Sequence, residues 1–320
     1  MRSAWVLLMA LAACAALVAQ TVPRDRGSAI PPDAEKVLPG TDAHPPILHS
    51  AEWHQPVPLP APVNTAGAED APYISADGKT LWFFFTPDVR VPPQKQLLDG
   101  VTGIYETRKT ADGWTVPRRL ALQKPGQLAL DGAPCVQGDT LWFCSARQGN
   151  FRGVDMWIAS RKNGVWTDWR NAGQRLNKEL KIGEVHLTAD GRTLYFHAER
   201  PEGKGKLDIW RTRLVKGEWV DPEPIDAVNS AEDEGWPFIT PDGRELWFLR
   251  TTRGAPGIYR SRIVAGRFSP PELIVSQFAG EPTLDREGNL YFVHHFFRDG
   301  RMIEADIYFA RKQQPRRSAR

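Results

Sequence analysis

The chain of 320 residues carries one short plan five times, and nothing else in it limits the fold so strongly. The five segments are EDAPYISADGKTLWFFF from Glu69, DGAPCVQGDTLWFCS from Asp131, IGEVHLTADGRTLYFHA from Ile182, EGWPFITPDGRELWFLR from Glu234 and AGEPTLDREGNLYFVHH from Ala279. Each reads as a short apolar strand, a polar turn and a second strand that opens Leu-aromatic-Phe. Asp77-Gly78, Asp190-Gly191 and Asp242-Gly243 mark hairpins, because glycine accepts the positive φ of a tight turn. Glu287-Gly288 is a weaker version of that signal, and Gly138-Asp139 inverts it. A third strand follows each pair, at Gly103, Asp155, Asp208, Gly257 and Asp306. A fourth follows four times, around Trp114, Trp166, Trp219 and Phe268.

The fifth unit lacks its fourth strand, and the other end of the chain supplies a match. AEWHQPVPLPAPVNTAGAEDAP, around Trp53, repeats GEWVDPEPIDAVNSAEDEGWP, around Trp219, with Asn64 standing against Asn229. The spacing predicts a five-bladed β-propeller of four-stranded blades over residues 47–312, its last blade closed by the N-terminal strand. Composition agrees: 12 Trp, 27 Gly and 27 Pro suit many short strands, and a mean hydropathy of -0.42 with 25% charged residues suits a globular chain. The net charge of +3 gives no support to a nucleic-acid partner.

Residues 1–20 read as a signal peptide: Met1-Arg2 is basic, and Ala4 to Val18 is apolar but shorter than a membrane span. Leu11-Ala12-Ala13-Cys14 resembles a bacterial lipobox, which makes Cys14 the lipidation candidate, with ordinary cleavage near Ala16 or Ala19 as the other reading. Residues 21–46 are expected to be a disordered linker, and 313–320 a solvated basic tail.

The pattern Pro-x-Ile-x-Pro-Asp-Gly-x-x-Leu-aromatic-Phe followed by Asp-Ile-Tyr resembles the WD40-like β-propeller repeat of the TolB type, from Trp53 to Ala310. That resemblance implies an exported protein of the periplasm, or one anchored in the outer membrane as a lipoprotein. It implies a non-enzymatic binding or scaffolding module for a protein or glycan ligand; the chain is expected to be a monomer and, through Cys14, to touch membrane only by a lipid anchor. The alternative is a carbohydrate-active enzyme, a glycosidase or lyase, that uses carboxylates of the channel.

The innermost strands hold the candidate site. Taking the lead-in slot of Pro72, Pro134, Val185, Pro237 and Pro282 as zero, Glu69, Asp131 and Glu234 stand three residues earlier, and Glu184 and Glu281 one earlier. Positions two apart share a strand face, so the five acids are expected to form one ring at the channel. Such a ring could bind a cation, with Ca²⁺ as the ion to consider, or an amine or sugar hydroxyls. Otherwise its acids cap local amides and tie the blades together. His186 lies on an inner strand. Arg147 and Arg200 are expected to face Asp155 and Asp208, whereas Arg253 has Gly257 in that slot and is left free for a ligand. His197 and His294 read as packing residues, since no metal-binding spacing is present. Cys135 and Cys144 are read as two thiols at a separation marginal for a disulfide.

Overall fold

The structure, a computed structural model, describes residues 25–314. The expected signal peptide, Cys14 and nearly all of the basic tail lie outside the described residues. Strands dominate and fall into successive antiparallel units. Unit one is Ala68–Ile74, Thr80–Thr86 and Gly103–Thr110; unit two is Ala129–Gln137, Thr140–Arg147, Asp155–Lys162 and Val165–Asn171. Unit three is Val185–Leu187, Thr193–Ala198 and Asp208–Val215; unit four is Asp233–Ile239, Glu245–Thr252, Ala255–Val264 and Glu272–Ser276. Unit five is Ala279–Leu284, Leu290–Arg298 and Arg301–Ala310. Two-residue strands edge units one and three, among them Arg118–Arg119 and Glu223–Pro224.

The second strands are apolar on both faces because each unit is sandwiched between two others. Leu81, Trp82, Phe83 and Phe85 are all buried, where a half-exposed strand would alternate. The hairpins into these strands share one construction. The hydroxyls of Ser75, Thr188 and Thr240 each donate to the aspartate two residues on, Asp77, Asp190 and Asp242, at 2.6 Å. Gly78, Gly191 and Gly243 follow at φ 69, 67 and 68, the left-handed region that glycine enters without strain.

Apolar clusters fill the gaps between units. Trp82 and Ile104 of unit one pack with Leu141 and Phe143 of unit two, and Tyr195 and Ile209 of unit three with Leu246 and Phe248 of unit four. Another cluster joins Tyr291 and Ile307 of unit five to Leu81 and Phe83 of unit one. The first strands touch one another in the same cyclic order, and the fifth touches the first.

Val57–Pro58 pairs antiparallel with Tyr308 and Phe309 of unit five, and Trp53 bridges Lys312. Asn64 grips the same unit: its amide donates to Ile307 O (2.9 Å) and its Oδ1 accepts from Ile307 N–H (3.0 Å). Asn229 makes the same two bonds to Ile209 in unit three, at 3.0 and 2.9 Å. Ile47–Leu48 goes elsewhere, to Val275 and Ser276 at the edge of unit four.

The segment expected to be a disordered linker is packed from Asp25 onward. Arg26 is buried and donates to Val63 O at 2.8 Å. Lys36 pairs with Glu304 and Asp306, and Asp42 lies 2.9 Å from His294. The correction has a physical cause. These side chains answer buried polar and charged groups of units one and five, and composition read along the segment alone cannot show such distant partners.

Candidate functional site

The first strands do not keep the period of two that a single acidic ring requires. A β-bulge interrupts the register between Asp70 and Tyr73, Gly132 and Cys135, Gly235 and Phe238, and Gly280 and Thr283. The residue before each proline is left-handed: Ala71 at φ 47, Ala133 at 51, Trp236 at 51 and Glu281 at 52. A bulge adds one residue and turns the preceding side chains to the opposite face. The expected ring therefore splits in two.

Glu69, Asp131 and Glu234 face into their own units, away from the channel. Glu69 accepts from the N–H and hydroxyl of Thr65 at 2.8 and 2.6 Å. Asp131 accepts from the Ser145 hydroxyl at 2.7 Å and pairs with Arg147. Glu234 accepts from Ser230 N–H at 3.0 Å and pairs with Arg250 at 2.6 Å. These three acids cap and tie, and the expectation that they reach the channel is corrected. Arg147 does not pair with Asp155, which takes Arg152 at 3.5 Å instead. Arg200 does not meet Asp208, whose carboxylate accepts from the N–H groups of Lys204 and Gly205. Arg253 sits on an exposed hairpin tip at φ 52, outside the channel wall.

Glu184 and Glu281 do line the channel mouth, where they bound a cavity of about 50 Å³ with Tyr73, His186 and Trp236. Two residues that the sequence reading passed over join them. Asp70 and His295 lie 3.4 Å apart, 24% and 15% exposed, and the donor atoms of Asp70, Glu281 and His295 all fall within 4.8 Å of one another. Asp70 had a signal: four units carry glycine at its slot, Gly132, Gly183, Gly235 and Gly280, and only unit one carries a side chain that can bind. A β-carbon at Gly280 would meet Leu249 at 2.6 Å and one at Gly235 would meet His197 at 3.3 Å, so the glycines let neighbouring units close. His295 had no such signal, because its role depends on which unit lies beside unit five.

The electrostatics follow from crowding. Burial, then the charge of Asp70, pushes the Glu184 carboxyl up to about 8. Burial, with Asp70 and Glu184 nearby, raises Glu281 well above the carboxylate range. Burial also acts on Asp70, but His295 outweighs it and holds that carboxyl below its usual value. One oxygen of Glu281, Oε2, is buried without a hydrogen-bond partner. His186 accepts from Ile239 N–H through Nδ1 (3.2 Å), which leaves its proton on Nε2, also buried and without a partner. Burial pulls His186 down to about 3, so it stays neutral. The set offers two carboxylates and an imidazole at close range, with a third carboxylate facing them.

No protein-family model and no curated protein matches the sequence. Solved structures do match. An endo-arabinase from Bacteroides thetaiotaomicron VPI-5482 is 16% identical with a TM-score of 0.50, over 81% of this chain and 98% of that one. The GH43B protein of a Bacteroides ovatus xyloglucan locus gives 13% and 0.50, over 81% of this chain and 56% of that one. TolB from Acinetobacter baumannii gives 12% and 0.45, over 78% and 56%, so this chain spans little more than half of it. Likeness at this identity speaks to the fold: this is an all-β protein of the propeller class. No helix among the described residues is long and apolar enough to cross a membrane.

Proposed function

We propose that this chain is an exported five-bladed β-propeller, closed by Val57–Pro58, that works in the cell envelope as a binding module. Its channel mouth takes a divalent cation between Asp70, Glu281 and His295, with Glu184 opposite. Five units with an apolar cluster joining the last to the first support the ring. The observation that carries the cation is the gathering of three ligands, two carboxylates and an imidazole, within 4.8 Å of one another, with one buried oxygen of Glu281 left without a partner. Size supports an ion over a sugar. The channel cavity that Glu281 shares with Glu184, beside Asp70 and His295, holds about 50 Å³, which suits an ion with a water or two at ~30 Å³ per water, whereas small-molecule pockets run to about 300–1,000 Å³. Carboxylates suit calcium or manganese, and the imidazole extends the choice to zinc.

The carbohydrate-active reading draws on one observation, the split between an ionised Asp70 and a protonated Glu184, which resembles the division of an acid and a base. It requires a channel wide enough for a sugar to reach both.

The test is thermal melting of the mature protein with calcium, manganese or zinc, against chelator. Binding stabilises the folded state in proportion to occupancy, so at least one ion raises the midpoint of the wild type and not of Glu281→Gln or Asp70→Asn. No shift with any ion overturns the cation site. Release of sugar from arabinan or xylan, lost in Glu184→Gln, would establish the enzymatic reading in its place.

A further inference from the structure

A second cavity, of about 730 Å³, opens beside the channel mouth on unit three, and its volume lies in the range of about 300–1,000 Å³ that small ligands occupy. Its wall is strongly basic. Arg152, Lys181, Arg200 and Lys206 line it with one carboxylate, Glu199, so four positive charges less one negative leave +3. Arg152 lies near Asp155. Lys181, Arg200 and Lys206 have no carboxylate within 4.0 Å among the described residues.

Comparison with unit two shows what is missing around Arg200. Arg147 and Arg200 each follow the leucine of Leu-aromatic-Phe by the same interval, and each lies over the tryptophan of its third strand. The distances are 4.5 Å to Trp157 and 5.2 Å to Trp210. Each guanidinium donates to a leucine carbonyl, Leu122 at 2.8 Å and Leu180 at 2.6 Å. Arg147 then gives its Nη2 to Asp131 and its Nε to the Ser145 hydroxyl at 2.6 Å. In unit three the slot of Asp131 holds Ile182, which is buried and apolar. Arg200 keeps the same seat without that acid, and its Nε is buried with no partner because Ala198 stands where unit two has Ser145. A guanidinium held in place by stacking and a carbonyl, with free donors, is prepared for two-point contact with an oxyanion.

We propose that this cavity is a binding site for a small oxyanionic ligand, a carboxylate or phosphate group that takes on Arg200 the place Asp131 takes on Arg147. Lys181 and Lys206, both exposed, surround the bound group and give the site its attraction at a distance. Gly183 shapes the cavity floor, because a β-carbon there would lie 2.3 Å from the His197 ring, and it precedes Glu184 of the channel mouth. The site makes no use of the channel cation.

Calorimetry in metal-free buffer tests this, with sodium glucuronate and inorganic phosphate as separate probes. One of the two is expected to bind the wild type with an affinity that falls as salt rises, and the one that binds identifies the oxyanion. The double variant Lys181→Gln/Lys206→Gln changes only exposed side chains and should bind at least tenfold more weakly with an unchanged melting midpoint. Arg200→Gln should lose binding. Ile182→Asp supplies the acid that unit two has and should block the site. Absence of binding by both probes to the wild type overturns the proposal, and so does wild-type affinity in the double lysine variant.

Discussion

Arg26 and Glu69 lie 3.4 Å apart with side chains only 8% and 0% exposed, which clasps the N-terminal segment onto the first strand of unit one. Units two and four answer the acid of this slot from within, through Arg147 and Arg250. Unit one has no such arginine and takes one from 43 residues earlier in the chain. Burial pulls the guanidinium down and pushes the Glu69 carboxyl up to about 7, so each charge depends on the other. Removing one member of a buried pair costs about 3–5 kcal/mol, because the other stays buried and uncompensated. Arg26→Ala should therefore lower the denaturation free energy by about that much, and Arg26→Ala/Glu69→Gln should recover part of it. Equal losses in the single and double variants would show that the clasp works through packing.

The closing segment should be equally dependent on one aromatic. Trp53 is buried edge-on against Trp247 at 5.4 Å, donates to Gly288 O at 2.9 Å, and carries the Lys312 ammonium 3.6 Å above its ring. It thus joins the N-terminal segment to units four and five. Trp53→Ala should cost about 3–5 kcal/mol in chemical denaturation. Proteolysis should then release the N-terminal segment first, and a melting midpoint within error of wild type would rule out this closure.

His197 gives a pH dependence whose sign can be worked out. Burial holds its imidazole down to about 4, and its Nδ1 accepts from Trp236 N–H at 3.2 Å. Arg152, Lys181, Arg200 and Lys206, with Glu199, line the same cavity. An unfolded histidine titrates near ~6.5, so between about pH 6.5 and 4 the unfolded chain binds more protons. This contribution to stability is complete above ~6.5 and is lost as the pH falls toward 4. At pH 5 the loss amounts to about 2 kcal/mol. The stability gap between wild type and His197→Gln should narrow by that amount from pH 7.5 to pH 5, and a constant gap would show that His197 titrates freely.

Cys135 and Cys144 should both alkylate once the chain is unfolded, and scarcely at all before. They stand in the structure as free thiols, and cross-strand pairing sets Gly132 opposite Cys144 and Cys135 opposite Trp142. Burial raises Cys135 to about 12 and Cys144 higher still, so little reactive thiolate forms near neutral pH. Mass spectrometry after alkylation in denaturant checks this, and a disulfide-linked peptide would contradict it.

The repeat, the hairpin turns and the match between the Trp53 and Trp219 segments were legible along the chain, because hydrophobic patterning and turn chemistry are local. Asp77-Gly78 forms the same turn whatever lies beyond it. The absence of a fourth strand in unit five was legible for the same reason, as a gap in a local series. The face on which each acid points was decided by the bulges before Pro72, Pro134, Pro237 and Pro282, where four residues enter the left-handed region. Local preference disfavours that conformation for Ala71 or Trp236, and only packing among five inner strands imposes it. The partners of Glu69, Asp306 and His294 come from a segment that composition describes as a tether. Asp70 meets Glu281 and His295 because unit five lies against unit one. Sequence determined the units and their turns, while the meeting of residues more than 200 positions apart rested on how those units close upon one another.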